Sequence, residues 1–476
     1  MSNADSVTDI DAAARAALRL IGADPPNWVP DRPGIDHNVT IIGGGQTGSA
    51  VAFALRRAGV GRTTVIDAAE DEARAGVWLN AARMNLLRTP KSLTGPEIAV
   101  AAFGFQAWYE ARHGAEAYAA IDRIRRTDWA DYLSWYRRFL GVAIRYRTRL
   151  LRIEPAHGHF RLHLDVNGRA SVETTRKIIL CTGFTGSGGP YVPAELRDAL
   201  PPHLYAHTKS AIDFAALRGR HVAVIGAAAS AFDAAGVALE AGAASVHLFA
   251  RRPSIAAVPI TRSRGYAGAY DNYHALPDAV RWEQALRFRR YGSTPTTDAI
   301  ERTVAFPNFQ LHLGARWQDV RLEDGRIAVR ANGGEHRCDF VIAGTGYDVD
   351  LAARAEFADF QQDILLWRDC FVPPSGDADA FLGAHPYLGA AHEFLEKRPG
   401  AAPYLRDIHV QNPGGFVSFG LPIGDIPSMK RDIPTVVAQI SRDLFLADLQ
   451  AHERRITGDV APDFTEEMYA RAVQAR

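Results

Sequence analysis

The chain has 476 residues, 47% of them hydrophobic and 23% charged, so it is long enough for several domains and has the composition of a folded protein. Lysine plus arginine (54) and aspartate plus glutamate (54) cancel. A formal charge of zero excludes the strongly basic surface of a nucleic-acid-binding protein and gives no reason to expect a membrane partner. The three cysteines, Cys181, Cys338 and Cys370, lack metal-ligand or dithiol spacing, so we predict no metal site and a cytoplasmic location.

The N-terminal residues 1–22 carry acidic groups and no basic segment followed by an apolar stretch. We therefore predict an amphipathic helix there and not a signal peptide. Residues 24–34 contain four prolines, which prevents continued helix and predicts a coil that leads to the first core strand.

A glycine-rich turn follows that strand, predicted over residues 39–42. Gly43, Gly45 and Gly48 fit the pattern G-x-G-x-x-G at the start of a predicted helix. Such glycines allow a tight turn, close approach of a pyrophosphate and close packing of helix on strand, while the helix N-terminus favours the phosphates. Asp67 ends the next strand, where a carboxylate can accept hydrogen bonds from ribose hydroxyls. The segment is typical of a dinucleotide-binding unit.

The same unit recurs when the chain is shifted by 183 residues. Gly226 matches the first glycine, whereas Ala228 and Ala231 stand at the positions of the other two. Ala250 replaces the acid and is followed by Arg251–Arg252. Loss of a carboxylate and gain of two guanidiniums favours a ribose 2′-phosphate, so we predict NADPH here, the alternative being a solvated arginine pair.

The second strand ends at an acid in the first unit and at two arginines in the second unit. This difference implies two nucleotides, FAD at the first site and NADPH at the second. We predict an α/β fold with two Rossmann-like dinucleotide-binding domains, the second inserted into the first. The predicted divisions are 1–195 for the first part of the FAD domain, 196–332 for the NADPH domain, and 333–476 for the remainder of the FAD domain with C-terminal helices. Residues 253–300 lose hydrophobic periodicity, which indicates an insertion over a site or a surface excursion.

The order of the motifs resembles that of the flavin-containing monooxygenase superfamily, which includes N-hydroxylating and Baeyer–Villiger enzymes. After the first turn come Ala75-Gly76-Val77-Trp78, Leu87-Arg88-Thr89-Pro90-Lys91, Leu180-Cys181-Thr182-Gly183, the second turn with Ser230, and Asp339-x-Val341-Ile342-x-Gly344-Thr345-Gly346-Tyr347. The resemblance covers about residues 37–350. The cofactor-binding residues that we expect are Gly43, Gly45, Gln46, Thr47, Gly48, Asp67, Trp78, Thr182 and Asp425 for FAD, and Gly226, Ala228, Ser230, Arg251 and Arg252 for NADPH, with Thr345 and Gly346 at a chain crossing between the domains.

The implied activity is insertion of one oxygen atom from dioxygen into a small organic substrate through a flavin peroxide. Baeyer–Villiger enzymes carry F-x-G-x-x-x-H-x-x-x-W before the second turn, but this chain has Pro201, His203 and Ala211 at the Phe, Gly and Trp positions and keeps only His207. We therefore expect nitrogen oxygenation, with Baeyer–Villiger or sulfur oxygenation as alternatives. His207 is equally compatible with a hinge and with a surface histidine.

Candidate catalytic residues are Asn85, Arg88 and Lys91, because their loop lies where related monooxygenases approach the flavin edge. A cation near the flavin would favour a peroxide anion and neutral groups the hydroperoxide. Arg88 and Lys91 could instead hold a phosphate or carboxylate structurally. Asp425 precedes a predicted helix whose N-terminus either faces the flavin ring or closes the core.

The expected partners are a small-molecule substrate and dioxygen, with no nucleic acid or membrane partner and homo-oligomerisation possible. A hypothesis of another class is an FAD-binding redox sensor or scaffold without turnover, because two glycines of the second turn are alanines. Consumption of NADPH separates the two hypotheses.

Overall fold

The computed structural model describes residues 3–474. The α-helices are Asn3–Leu20, Gln46–Arg57, Phe105–His113, Ala115–Ala120, Arg126–Leu140, Ala194–Ala199, Ala229–Glu240, Ala267–Asn272, Asp278–Tyr291, Thr297–Val304, Trp367–Cys370, Ala380–Gly383, Phe416–Phe419, Met429–Ala447 and Leu449–Ile456. The strands are His37–Ile42, Thr63–Ile66, Leu86–Pro90, Arg123–Arg125, Ile144–Arg145, Thr148–Ala156, His159–Val166, Arg169–Leu180, Gly188–Pro190, Tyr205–His207, His221–Ile225, Ser245–Ala250, Phe309–Leu313, Gln318–Glu323, Arg326–Ala331, Gly334–Cys338, Phe340–Ala343, Tyr347–Val349 and Ile408–Val410.

The first sheet is built around the strand His37–Ile42, which pairs in parallel with Thr63–Ile66 on one side and Arg169–Leu180 on the other. Ile144–Arg145 extends the sheet beyond the second strand, and Ile408–Val410 returns from far along the chain to pair with Arg169–Leu180. The central strand is buried because elements cover both faces of the sheet, which explains its continuous apolar sequence.

The second sheet has five parallel strands, which in spatial order are Tyr205–His207, Phe340–Ala343, His221–Ile225, Ser245–Ala250 and Phe309–Leu313. Val246 and Leu248 point to a core that includes Phe232 of the helix Ala229–Glu240. Phe249 points to the opposite face and belongs to a separate core with Ile327 of an antiparallel three-stranded meander over residues 318–338. Each sheet thus has the layered α/β arrangement expected of a dinucleotide-binding domain.

The chain passes between the two sheets through an antiparallel pair of short strands, Gly188–Pro190 and Tyr347–Val349. This topology confirms the predicted fold class, two Rossmann-like domains with the second inserted into the first. The strand Phe340–Ala343 pairs inside the second sheet, beyond the predicted division at residue 332. The chain therefore returns to the first domain after this strand and not at residue 332, because the strand that follows the meander still belongs to the second sheet.

The helix Asn3–Leu20 packs on the first domain through the buried side chains of Ile10 and Ala14. The indole Nε1 of Trp135 also donates a hydrogen bond to the Asp11 carboxylate at 2.7 Å. Within residues 3–474, none of the helices combines the length and apolar character needed to cross a bilayer.

The segment 253–300 docks on the C-terminal part of the first domain. Arg264 donates to the Gly420 carbonyl at 2.8 Å, and the indole Nε1 of Trp282 donates to the Asp377 carbonyl at 3.0 Å. Trp282 shares a buried cluster with Trp367. These contacts argue against a plain surface excursion, because such an excursion would not bury side chains against another domain.

Candidate functional site

The first glycine turn is closed by backbone contacts that leave no room for side chains at two of its glycines. A Cβ on Gly43, whose φ is +106°, would lie 2.3 Å from the Cys181 carbonyl oxygen, and a Cβ on Gly48 would lie 1.9 Å from the Gly43 carbonyl oxygen. A Cβ on Gly45 would meet only Gly76, at 3.8 Å. Gly45 therefore borders an open approach, and as the N-cap of the helix Gln46–Arg57 it supplies no capping side chain. A phosphate can reach the free N–H groups there.

Asp67 is fixed beside this turn. Its Oδ2 accepts a hydrogen bond from the Gly44 N–H at 2.7 Å, and its Oδ1 accepts one from the Ala69 N–H at 2.8 Å. Each carboxylate oxygen retains acceptor capacity after these bonds. The side chain is half-buried at the end of its strand, so it can still accept bonds from ribose hydroxyls.

Gln46 and Thr47 connect the helix N-terminus to a C-terminal loop. Gln46 Nε2 donates to the Gly424 carbonyl at 2.9 Å, and the Thr47 hydroxyl donates to the same oxygen at 3.3 Å. Gln46 Oε1 accepts a hydrogen bond from Trp129 Nε1 at 3.1 Å. The Trp129 ring packs edge-on against the Trp78 ring at a centroid distance of 6.3 Å. These residues hold the turn and the loop over residues 411–428, which we call the C-terminal loop, as one unit.

The C-terminal loop carries polar groups that the protein itself does not satisfy. Both side-chain polar atoms of Gln411 are buried without a hydrogen-bond partner among residues 3–474, and so is the hydroxyl of Tyr270. Tyr270 comes from the 253–300 insertion, and its backbone carbonyl accepts a bond from Arg431 Nη1 at 2.6 Å. Burial raises the pKa of Asp425 to about 7, against the opposing effect of its bonds from Ser428. Buried polar groups are normally hydrogen-bonded, so these atoms are free to bond to water or to a polar ligand.

Thr182 lies across the same loop from these groups. Its Oγ1 accepts a hydrogen bond from Asn412 Nδ2 at 3.1 Å, and a Cβ on Gly186 would lie 1.9 Å from that oxygen. Asn412 Oδ1 in turn accepts from the Gly414 N–H at 2.9 Å. Thr182 therefore joins the end of a first-sheet strand to the C-terminal loop.

A buried ionic network fixes the helix that follows this loop. Asp432 Oδ1 lies 2.5 Å from Arg431 Nε and 3.4 Å from His392 Nε2. The His392 ring stacks on the Phe419 ring at a centroid distance of 3.9 Å. Burial raises the pKa of Asp432, but His392 and Arg431 outweigh it and hold the net pKa below its usual value. His392 has a φ of +63°, an unfavourable conformation for a residue with a side chain. No motif in the sequence predicted this network.

The second glycine turn has the same backbone form with different packing. A Cβ on Gly226 would lie 2.1 Å from the Gly344 carbonyl oxygen. Ala231 stands where the first turn needs Gly48, and a Cβ on Gly344 would lie 2.6 Å from the Ala231 Cβ. The methyl of Ala231 is therefore accommodated by a glycine on the neighbouring strand end. Ala228 caps the helix Ala229–Glu240 without a side-chain bond, so its N-terminal N–H groups are free for phosphate.

Among the side chains predicted to bind NADPH, some are exposed and one is hydrogen-bonded within the protein. Ser230 and Arg251 are exposed at the helix N-terminus and the strand end. Arg252 instead donates to the carbonyls of Tyr291 and Arg289 at the C-terminus of the helix Asp278–Tyr291. Arg251 is thus available to a 2′-phosphate, whereas Arg252 performs a structural role that two adjacent arginines in a sequence do not reveal.

Thr345 and Gly346 lie at the crossing between the domains. The Thr345 hydroxyl donates to the Tyr191 carbonyl, and the Gly346 carbonyl accepts from the Tyr191 N–H at 3.0 Å. His207 is only 3% exposed, and its Nε2 bonds to the Gly346 carbonyl at 2.8 Å. This burial excludes a surface histidine, and His207 lies at the end of the edge strand Tyr205–His207 of the second sheet, bonded to the domain crossing.

The three candidate catalytic residues point to different surroundings. Asn85 is exposed. Arg88 reaches across the domain boundary, where its Nη2 donates to the Thr294 carbonyl at 2.8 Å. Lys91 Nζ donates to the carbonyls of Tyr118 and Ala119 at 2.6 and 3.1 Å, at the C-terminus of a short helix. Lys91 is therefore engaged by backbone carbonyls and not by a phosphate or carboxylate, whereas Arg88 lies between the domains.

A buried acid at the domain boundary was not predicted from the sequence. Asp233 is 3% exposed on the helix Ala229–Glu240, and its Oδ1 has no hydrogen-bond partner among residues 3–474. Burial raises its pKa to about 7, with Arg302, Arg88 and Arg83 opposing the shift and Asp298 adding to it. Arg302 also donates to the Arg83 carbonyl of the first domain at 2.9 Å. These charged groups lie where the two nucleotide domains meet.

Comparison with known proteins supports the same cofactor chemistry. A family model described as pyridine nucleotide-disulphide oxidoreductase matches residues 40–264. The three cysteines are free thiols, and burial raises the pKa of Cys181, which is the opposite of what an activated redox thiol requires. The chain is 38% identical over 451 residues to an FAD-dependent urate hydroxylase from Xanthomonas campestris pv. campestris, and the match covers 94% of each chain.

Solved structures of N-hydroxylating enzymes share the fold. The ornithine N-hydroxylase of Kutzneria sp. 744, solved with reduced FAD, NADP+ and L-ornithine, matches 86% of this chain and 99% of its own at 17% identity, with a TM-score of 0.67. The ornithine hydroxylase of Pseudomonas aeruginosa matches 86% of this chain and 100% of its own at 17% identity, with a TM-score of 0.65. At such identities the likeness concerns the arrangement of the two dinucleotide domains.

Proposed function

This chain belongs to the flavin monooxygenase superfamily and is an FAD- and NADP-dependent oxidoreductase, and we propose that it hydroxylates urate or a closely related purine with one oxygen atom from dioxygen. The observation that carries the substrate proposal is the 38% identity, sustained over 94% of both chains, to an FAD-dependent urate hydroxylase. An identity that spans both nucleotide domains and the C-terminal loop includes the regions that would form a substrate site.

The first turn would hold FAD. The open approach beside Gly45 suits a pyrophosphate, and the helix N-terminus behind it supplies N–H donors and a positive dipole end. Asp67, fixed by Gly44 and Ala69, would accept from the ribose. Thr182, which contacts the C-terminal loop through Asn412, and Asp425, which belongs to that loop, would lie beyond the phosphates toward the flavin.

The second turn would hold NADPH. The uncapped N-terminus at Ala228 suits its pyrophosphate, and the exposed Arg251 suits the 2′-phosphate because a guanidinium can bind it through two hydrogen bonds. The chemistry supplied by the bound cofactors is hydride transfer from NADPH to FAD and activation of dioxygen on the reduced flavin. Asp233 and Arg88 border the space between the domains, where they would set the charge around the reacting atoms.

The substrate would lie against the 253–300 insertion and the C-terminal loop. A purine with several carbonyl and N–H groups needs both donors and acceptors, and the unpaired Tyr270 hydroxyl and Gln411 amide supply both. Leaving these groups unsatisfied costs about 1–3 kcal/mol each, so a ligand that pairs with them gains affinity and specificity. The docked insertion would also exclude water from the site.

Nitrogen oxygenation is the second candidate. It is the outcome expected because the Baeyer–Villiger motif around His207 keeps only its histidine. It is supported by the shared fold with ornithine N-hydroxylases, but that likeness rests on 17% identity and concerns the fold alone. The hydroxylase relative is more than twice as similar in sequence, so carbon hydroxylation of a purine is our first proposal. Ketone or thioether oxygenation and a sensor without turnover are the further outcomes that an assay separates.

The experiment is a parallel substrate test with FAD-loaded protein. Urate, ornithine, a cyclic ketone and a thioether are each incubated with NADPH, and NADPH oxidation, hydrogen peroxide and oxygenated product are measured together. We expect NADPH oxidation coupled to a urate product one oxygen heavier than urate. Oxygenated ornithine with uncoupled urate would establish the second candidate, and no NADPH oxidation under any condition would favour the sensor.

A pair of variants locates the substrate. Tyr270→Phe removes only the unpaired hydroxyl and keeps the backbone carbonyl that binds Arg431. We expect a roughly tenfold higher KM for urate with unchanged FAD content, the effect of losing one hydrogen bond of about 1.4 kcal/mol. The matched control is Tyr266→Phe in the same insertion, where the side chain is 65% exposed. Equal kinetics for the two variants would remove Tyr270 from the proposed substrate site.

A further inference from the structure

Three histidines of the second domain lie together away from both glycine turns. One ligand nitrogen from each of His247, His312 and His336 lies within 4.8 Å of the others. We propose that these imidazoles form a binding site for a divalent transition metal, with Zn²⁺ the best match. The sequence predicted no metal site because the three residues are far apart along the chain and no short spacing connects them.

The fold brings the histidines together through the register of three strands. His247 shares the strand face of Phe249, opposite the face of Val246 and Leu248 that packs on the domain core. Phe249 is the register partner of His312 on the neighbouring strand, so His312 points to the same face. His336, on the last strand of the meander that covers this face, meets the His312 ring at a centroid distance of 4.8 Å. The site therefore bridges a sheet and the hairpin layer over it.

The spacing suits a tetrahedral metal. His312 Nε2 and His247 Nδ1 are 3.2 Å apart. Two nitrogens bound to one tetrahedral Zn²⁺ at the usual bond length are separated by about 3.3 Å. Rotation about side-chain bonds would bring the wider pairs to this separation. Three histidines with one position left for water form a ligand set that Zn²⁺ accepts, and imidazole also suits Co²⁺ and Ni²⁺.

The surroundings of two of the three imidazoles disfavour their protonated forms. Burial lowers the pKa of His247 to about 4, with further lowering by His312, His336 and the nearby His221. Burial and His336 lower the pKa of His312 as well. A metal binds the neutral form of an imidazole, so protons compete with it for the same lone pair. Cys338 also lines the small cavity beside His247, but burial raises its pKa to about 12, so it stays a thiol.

A competing explanation is an aromatic stack closed by one hydrogen bond. His312 lies parallel to Phe249 at a centroid distance of 4.5 Å, and the 3.2 Å contact to His247 fits a bond between two neutral imidazoles. A stack needs a proton between the two nitrogens, whereas a metal needs both lone pairs. The two explanations therefore differ in whether the intact protein takes up a metal ion.

The test is equilibrium dialysis of the FAD-loaded, metal-free full chain against Zn²⁺ at neutral pH. We expect one tightly bound equivalent per chain, and an affinity at least 100-fold lower in His247→Ala and in His336→Ala. The matched control is His157→Ala, which removes an exposed histidine of the first domain and should bind as the wild type does. No tight equivalent in the wild type, or equal binding by all variants, would overturn the proposal.

A measurement on the unaltered protein guards against misfolded variants. X-ray absorption at the zinc edge of the wild type loaded with one Zn²⁺ equivalent should show imidazole scattering from three histidines. A shell of oxygen ligands alone would contradict the site. Neither experiment involves turnover, so the outcome is independent of the proposed urate activity.

Discussion

Replacing Gly48 by alanine tests the geometry of the first turn directly. The new Cβ would lie 1.9 Å from the Gly43 carbonyl oxygen, whereas real Cβ contacts essentially never fall below 3.0 Å. The turn must therefore open by about 1.1 Å, although Gly43 is itself held against the Cys181 carbonyl and by its N–H bond to the Ile66 carbonyl at 2.8 Å. Overpacking of this kind costs about 1–3 kcal/mol, and loss of the bond adds about 1 kcal/mol.

The assay is denaturant unfolding of the protein with and without FAD, combined with a titration of FAD affinity. Gly48→Ala should lower the stability of both forms by roughly 2–4 kcal/mol. Gly45→Ala is the matched control, because its Cβ meets only Gly76 at 3.8 Å and fits the protein without FAD. It should keep that stability and lose most of the FAD-induced gain, about 2.7 kcal/mol at 100 times Kd in the wild type. Wild-type FAD affinity in Gly45→Ala would refute the placement of the pyrophosphate.

Three further predictions follow from the second domain. Arg251→Ala should erase most of the preference for NADPH over NADH in stopped-flow flavin reduction. Arg252→Ala should instead lower the unfolding temperature, because its contacts with backbone carbonyls are lost. Loss of the NADPH preference only in Arg252→Ala would show that Arg252, and not Arg251, binds the 2′-phosphate. Gly344→Ala should destabilise the domain by about 1–3 kcal/mol in denaturant, because its Cβ would meet the Ala231 Cβ at 2.6 Å, and an unchanged midpoint would contradict that packing. Burial raises the pKa of Asp233 in the folded chain to about 7, whereas its ordinary pKa, expected in the unfolded chain, is 3.8. The stability of the wild type should therefore fall relative to that of Asp233→Asn by ~1 kcal/mol or more between pH 4 and pH 7. Parallel stability curves would show that this acid ionises normally.

Local chemistry explains what the sequence could predict. The two glycine turns, the acid of the first and the arginines of the second lie within single strand–turn–helix units, where spacing alone dictates geometry. The repeat of that unit after 183 residues and the later motifs were sufficient for the two-domain fold. The N-terminal helix was predictable from its own composition for the same reason.

Long-range packing explains what the sequence could not predict. Arg252 and Arg251 are adjacent, and their roles differ only because the C-terminus of the helix Asp278–Tyr291 lies beside one of them. Lys91 binds carbonyls of a helix that ends about 29 residues later, so its role could not be read from its own loop. Tyr270 lies in the 253–300 insertion, and only the docking of that insertion brings it near Asp425 of the C-terminal loop.

We propose that this chain inserts one atom of dioxygen into urate or a related purine and oxidises NADPH in the reaction. The most direct measurement is mass spectrometry of the product formed from urate, NADPH and ¹⁸O₂ by the FAD-loaded protein. We expect a product that carries one ¹⁸O atom, formed in proportion to NADPH oxidation and with little hydrogen peroxide. NADPH oxidation that yields only hydrogen peroxide and unlabelled urate would contradict it.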